Sequence, residues 1–289
     1  MATTTQLSVL PYRTNLNKNH IKGRAFKVLP FFCTMILAEI KDRIGIITLN
    51  RPEKRNAFSP ELVRAMHEQV KEYNADPAVR AILFKGEGEA FSAGADLAYL
   101  AQLRNNTLEE NEQDSRNLAD FFQSIYNSPK LTYSAVDGYA LAGGCGLATV
   151  TDFCIASEKA KFGYTEVMIG FVPAIVLVYL QRKISGTSMN KLLLTGKIIE
   201  AKDALDLGLI SSIVSSEDFY EEVVALIMKQ LSKSSAEAIT LTKKLMRETY
   251  SKALDDGITA AVKMNAQARA TEDCIRGVDA FLNKTKITW

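Results

Sequence analysis

Hydrophobic and polar positions alternate between two periods along this chain. Arg43–Asn50 (RIGIITLN) is rich in β-branched residues and stops at Arg51-Pro52, which predicts a strand. Ser59-Pro60-Glu61 then combines a cap, a proline at the first helical position and an acid in the first turn. Val63, Met66, Val70 and Tyr73 follow at helical spacing, and Asp76-Pro77 closes that helix. Val79–Phe84 predicts a buried strand, residues 102–117 a polar mobile loop or helix, and Leu118–Tyr126 a helix. Leu131–Val136 and Phe153–Ala156 read as strands flanking a small-residue helix at Leu141–Val150. Further on, Val172–Ile184 and Ala201–Leu207 predict helices and Leu209–Val214 a strand. Beyond Ser216 the strand signal fades, and Phe219, Val223, Leu226 and Ile227 begin a run of amphipathic helices reaching Ile258 and Val262.

Alternating strands and helices imply an α/β architecture with a parallel sheet over residues 35–215, followed by an all-helical region over 216–289. A helical tail of that size buries little core by itself, so it should pack on the preceding region or on a neighbouring subunit. Residues 1–34 stand apart. They hold Arg13, Lys18, Lys22, Arg24 and Lys27 and no acid. This segment reads as a mobile basic arm preceding a start at Met35, or alternatively as a transit peptide.

Composition narrows the function classes. The 289 residues are 47% hydrophobic and 24% charged, with a formal charge of +2. Without the arm, 30 basic residues face 33 acidic ones, so neither nucleic acid nor a membrane surface is an expected partner. The apolar stretch Ile169–Leu180 is interrupted by Gly170 and Pro173 and falls short of the roughly 20 residues a bilayer span needs. Two histidines and four scattered cysteines exclude a histidine metal cage and argue against a zinc site or disulfide framework. The expected location is cytoplasmic, or the mitochondrial matrix if the arm is a transit peptide.

Three segments carry candidate chemistry. Ala90–Leu97 (AFSAGADL) is a small-residue turn between a strand and a helix. Gly138–Ala148 (GYALAGGCGLA) opens a helix with adjacent glycines, where unpaired N–H groups and the helix dipole suit a phosphate or a developing oxyanion. Its glycine spacing lacks the third glycine of a dinucleotide fingerprint. In Phe162–Pro173, Glu166 is an acid among apolar neighbours, where a carboxyl is raised toward neutral pH and can exchange protons. His67 reads as the solvent face of the 60–73 helix, and Cys145 and Cys154 as packing residues.

Together these segments resemble the enoyl-CoA hydratase/isomerase (crotonase) superfamily. So do RIGIITLNRPEKRNAFS, LLLTGKIIEAKDALDLGLI and GVDAFLNK, all in family order from about Ile36 to Lys284. The resemblance implies a spiral of β-β-α units, a C-terminal helical region at a trimer interface, and homotrimers or hexamers. It implies an acyl-CoA thioester substrate, with coenzyme A as part of the substrate and no separate cofactor or metal. The N–H groups of Ala95 and Gly143 would bind the thioester oxygen, and Glu166 would be the catalytic acid. Lys54, Arg55, Ala57, Ala93, Asp96, Leu97, Phe281 and Lys284 would contact coenzyme A. One departure stands out: the first of the two glutamates typical of hydratases falls on Gly146. Three activities therefore stay open. Hydration of a 2-enoyl-CoA leads, a single-glutamate Δ3,Δ2-enoyl-CoA isomerase is the alternative, and a catalytically silent binding protein is the third. If the missing acid limits hydration, Gly146→Glu is expected to raise it.

Overall fold

A computed structural model describes residues 35–103 and 105–250, together with isolated positions near the C-terminus. Residues 1–34 lie outside the described residues, as do Phe281, Lys284 and the expected helical positions at Ile258 and Val262.

The larger sheet runs in the order β1 (Ile36–Lys41), β2 (Ile44–Leu49), β3 (Ala81–Gly86), β5 (Leu131–Val136), β7 (Phe153–Ser157) and β10 (Ser212–Val214). All neighbours are parallel except β1, which forms a hairpin with β2. Sequence periodicity did not single out β1. Its residues beyond Ile36 are largely exposed, so it carries no core-facing pattern.

Strand β2 is buried along its whole length because both faces of the sheet are covered. Ile47 and Leu49 face the main core with Ile82 and Phe84 of β3. Ile44 and Ile46, with Ala81 and Leu83, face the other side. There they meet Val223, Val224 and Ile227 of α8 (Phe219–Leu231). The helical tail thus begins by packing back on the chain's own sheet. The next helix, α9 (Ala236–Thr249), is tethered by buried Lys243, which pairs with Asp152 and donates to the Lys130 carbonyl at 2.6 Å.

On the main-core side lie α1 (Pro60–Ala75), α3 (Leu108–Tyr126), α4 (Gly143–Val150) and α5 (Ala174–Leu180). Ser59 caps α1 by accepting from the Leu62 N–H. The acid-rich stretch expected as loop or helix is largely helix. Thr107 and Glu110 form a capping box that starts α3, so its polar first turns are stable on the surface. The short α2 (Leu97–Leu103), α6 (Gly186–Leu193) and α7 (Ala201–Asp206) complete the described helices.

A second sheet organises the loops. Strands β4 (Ala90–Ser92), β6 (Tyr139–Leu141) and β8 (Lys161–Gly163) run parallel, and β9 (Ile199–Glu200) closes the edge antiparallel to β8. Ser92 pairs with Ala140, and Leu141 with Gly163. Because the three strands are parallel, with one register shift between Ala90 and Ser92 on β4, the segments leaving their C-terminal ends emerge on one side of the sheet.

Candidate active site

Those three exits carry the three residues singled out from sequence. Ala95 follows β4, Gly143 follows β6, and Glu166 follows β8. All three line one cavity of about 940 Å³ bounded by α1, α2, α3 and the segment from Phe171 to Val176. Parallel strands deliver their loops to one crevice, so convergence here is a consequence of topology.

The first exit is held from two sides. Phe58 forms a parallel bridge with Ala95. Its N–H donates to the Gly94 carbonyl at 2.6 Å, and its carbonyl accepts from the Asp96 N–H at 2.9 Å. In such a bridge the middle residue's own N–H points to the opposite side, so the Ala95 amide is turned away from Phe58. Gly94 adopts φ +91°, and a β-carbon there would stand 2.8 Å from the Ala142 side chain and 3.7 Å from the Gly143 nitrogen. The first loop is therefore packed directly on the second, which only glycine permits.

The second exit contains a backbone outlier. Ala142 caps α4 with φ 47° and ψ −124°, outside the usual regions for a residue with a side chain. Its N–H donates to the Gly163 carbonyl at 2.7 Å and its carbonyl accepts from the Gly146 N–H at 2.9 Å. These bonds fix the direction of the Gly143 amide at the start of α4. Among the described residues neither the Ala95 nor the Gly143 N–H has an acceptor. Gly144 lets α4 approach β4: a β-carbon would come within 2.5 Å of the Ser92 carbonyl oxygen.

The third exit is pinned by Tyr164, fully buried, whose hydroxyl meets Thr149 Oγ1 at 2.8 Å. Glu166 then opens a 3-10 turn over Glu166–Ile169. Its Oε2 is buried with no hydrogen-bond partner among the described residues. Burial holds the carboxyl above its usual range. The apolar context that flagged Glu166 in the sequence is only partly a core. Val167, Met168 and Ile169 face outward, and the apolar surroundings come from the cavity wall instead.

The expected coenzyme A residues form a separate cluster beside the first loop. Arg55 and Asn56 both take positive φ, 49° and 54°. Asn56 is completely buried and bonds the carbonyls of Glu87 and Ala90 through its amide. Ala93 N–H donates to the Arg55 carbonyl at 2.9 Å. Arg51 ties the cluster together, donating to the Ala57 carbonyl at 2.9 Å and pairing with Asp96 at 3.0 Å. Lys54 and Arg55 project exposed side chains, whereas Ala57 and Asp96 are buried. Lys54, Arg55, Ala57, Ala93 and Asp96 do not line the 940 Å³ cavity. The Asp96 carboxylate is engaged by Arg51 and by the N–H groups of Ala98 and Tyr99. Its side chain holds the loop and starts α2.

Two readings from sequence are corrected. His67 is not on the solvent face: it is half-buried, lines the cavity, and sits with its ring 6.2 Å from Phe121. Burial, then Lys71, lowers its pKa. Position 146 is no vacancy awaiting an acid either. A β-carbon there would overlap Val176 Cγ1 and stand 3.1 Å from Phe122, so Gly146→Glu is not expected to raise hydration. Sequence reasoning also missed Tyr99 and Asp114, which line the cavity and share a hydrogen bond. Their pairing joins two helices and leaves no short-range signal.

The chain matches the Enoyl-CoA hydratase/isomerase family over residues 39–289. It belongs to that family. It is 41% identical over 244 residues to a Thermus thermophilus protein bearing the name "Putative enoyl-CoA hydratase", covering 84% of this chain and 96% of the relative. Identity to the crotonyl-CoA hydratase of Syntrophomonas wolfei is 32% over 253 residues, covering 87% and 96%. Among solved structures, an enoyl-CoA hydratase from Polaromonas sp. JS666 superposes with a TM-score of 0.81 at 29% identity, over 86% of this chain and 97% of that one. The α/β architecture with its parallel sheets is thus the crotonase fold. Among the described residues no helix is long and apolar enough to cross a membrane.

Proposed function

We propose that this family member hydrates a 2-enoyl-CoA to the 3-hydroxyacyl-CoA. One observation carries the reading: two amides without an acceptor and one carboxyl without a partner among the described residues share a single cavity. The thioester oxygen accepts from the Ala95 and Gly143 N–H groups, which stabilise it as it gains charge. Each donor of this kind is worth about 3–4 kcal/mol in the transition state. Water adds to C3, and Glu166 takes a proton from it and delivers one to C2. A carboxyl raised by burial is suited to exchange in both directions. Exposed Lys54 and Arg55 would pair with coenzyme A phosphates beside the mouth set by Ala93 and Ala95. The backbone around Ala57, Asp96 and Leu97 would receive the rest, and Phe281 and Lys284 complete the proposed contacts.

The closed wall at Gly146 favours one competing reading, Δ3,Δ2 isomerisation. There Glu166 alone carries a proton between C2 and C4. Offering 2-enoyl and 3-enoyl thioesters and weighing the products separates the two. Hydration adds the mass of one water, isomerisation adds nothing, and no turnover of either defeats both.

We also propose a homotrimer or hexamer. Met168, Ile169, Val172 and Leu194 are 69%, 64%, 73% and 72% exposed. Gly196 stands against Met168, so these residues lie on neighbouring segments. An apolar patch of this kind marks an association surface. Sedimentation should give three or six subunits, and a monomer would defeat the assignment.

A further inference from the structure

Hydration poses a valence problem where Glu166 is the one carboxyl carried by the three strand exits. A water molecule attacking C3 directs one lone pair at carbon and must place both of its hydrogens on acceptors. Glu166 receives one. The second acceptor cannot come from position 146, where Val176 and Phe122 close the wall. Another group on the cavity surface can supply it.

We propose that the phenolic oxygen of Tyr99, oriented by Asp114, is that second acceptor, an inference that rests on the hydratase reading above. Tyr99 lies on α2, one helical turn beyond Ala95. Its segment is fixed by the Arg51–Asp96 ion pair, by the Asp96 N–H on Phe58, and by the Leu100 N–H on the Asp96 carbonyl at 2.9 Å. The ring is therefore positioned from the same anchor as the Ala95 amide. Its hydroxyl proton is committed to Asp114 Oδ1 on α3. A phenol that donates to a carboxylate turns its lone pairs outward, and here it can only accept further bonds. The wall also carries acceptors at Asn111, Ser115, Asn117 and Asp120, but these stand on α3 and not on the helix that follows Ala95, and two cations cannot take the role. Lys71 pairs with Glu68 at 3.0 Å and donates only, while Arg64 is a donor with no acceptor atom. His67 stands on the α1 side against Phe121.

The step balances without another reactant. The π bond between C2 and C3 opens and a C3–O bond forms. One water proton passes to Glu166 and a C2–H bond is made from that carboxyl. The second water proton stays on oxygen, becomes the product hydroxyl hydrogen, and is held throughout in a hydrogen bond that the Tyr99 phenolic oxygen accepts. Tyr99 exchanges no proton. Asp114 is a positioning residue.

The test separates water handling from enolate formation. Exchange of the C2 protons of a saturated acyl-CoA in deuterated water needs Glu166 and the two amides but no attacking water. Tyr99→Phe should lower kcat for hydration about tenfold, the loss of one hydrogen bond to a reacting group, with the exchange rate and KM unchanged. Asp114→Ala, which frees the hydroxyl proton to rotate, should lower kcat in the same direction by a smaller factor. Unchanged hydration in Tyr99→Phe overturns the proposal, and so does an equal fall in hydration and exchange. Full hydration in Asp114→Ala overturns the part given to Asp114. A native enzyme that exchanges no C2 proton, or exchanges it but adds no water, overturns the hydratase reading itself.

Discussion

Val176 occupies the space that a side chain on Gly146 would need. The contact lies between α4 and α5 in the wall of the cavity. Gly146→Ala should destabilise by about 1–3 kcal/mol through overpacking, and Gly146→Glu by more, with loss of soluble enzyme. Val176→Ala combined with Gly146→Ala should cost less than the two changes summed, because each relieves the other. Urea titration of the four proteins measures the coupling, and strict additivity would refute it.

Glu166→Gln should lower turnover by about 10²–10⁴ with acyl-CoA binding retained. It should also stabilise the fold at neutral pH. A carboxyl raised by burial favours folding below its unfolded value and loses that contribution as pH rises through the folded one. The glutamine removes this loss, so its melting temperature should exceed the native one by about 2–4 °C per kcal/mol at neutral pH. The two should converge in acid. Thermal scans across pH decide it, and a constant gap speaks against the buried acid.

Asp96 gives the opposite sign. Burial alone would raise its carboxyl, but Arg51 and the N–H groups of Ala98 and Tyr99 outweigh that and hold it below the usual range. Its stabilisation is present above the unfolded value and fades as pH falls through the folded one. Asp96→Asn should therefore destabilise at neutral pH by about 3–5 kcal/mol, as breaking a largely buried pair does, and much less in strong acid. Equal destabilisation at both would point to shape, not charge.

Ala142 sits at φ 47° and ψ −124°. Replacing alanine by glycine ordinarily costs about 0.5–1 kcal/mol, but relief of strain here is worth about 1–3 kcal/mol. Ala142→Gly should therefore hold or raise the melting temperature, whereas Ala142→Val should lower it. A clear fall in the glycine variant would show that the backbone at this position is relaxed.

Much of this was legible in the sequence, and the reasons are local. Ser59-Pro60-Glu61 sets the start of α1 through one cap bond, and Leu131–Val136 is a strand buried on every residue. Both carry their signal within a few positions. The small-residue exits were legible because close backbone packing tolerates nothing larger at Gly94 and Gly144. What escaped depends on distant partners. β4, β6 and β8 span three residues each, too short to show a period, so the small sheet that unites the exits was invisible. His67 looked like a surface residue until α3 covered it. Gly146 looked like an omission until Val176, thirty positions later, filled its place.

The Ala95 and Gly143 groups at the cavity are peptide nitrogens, not side chains. Their presence thus survives any substitution other than proline, provided the loop keeps its course. Drift can alter or delete Glu166 in one step, yet short of a proline it can remove these two donors only by bending the chain. A lineage built on such a frame can try new acids and new acyl groups while its hold on the carbonyl passes unchanged from one descendant to the next.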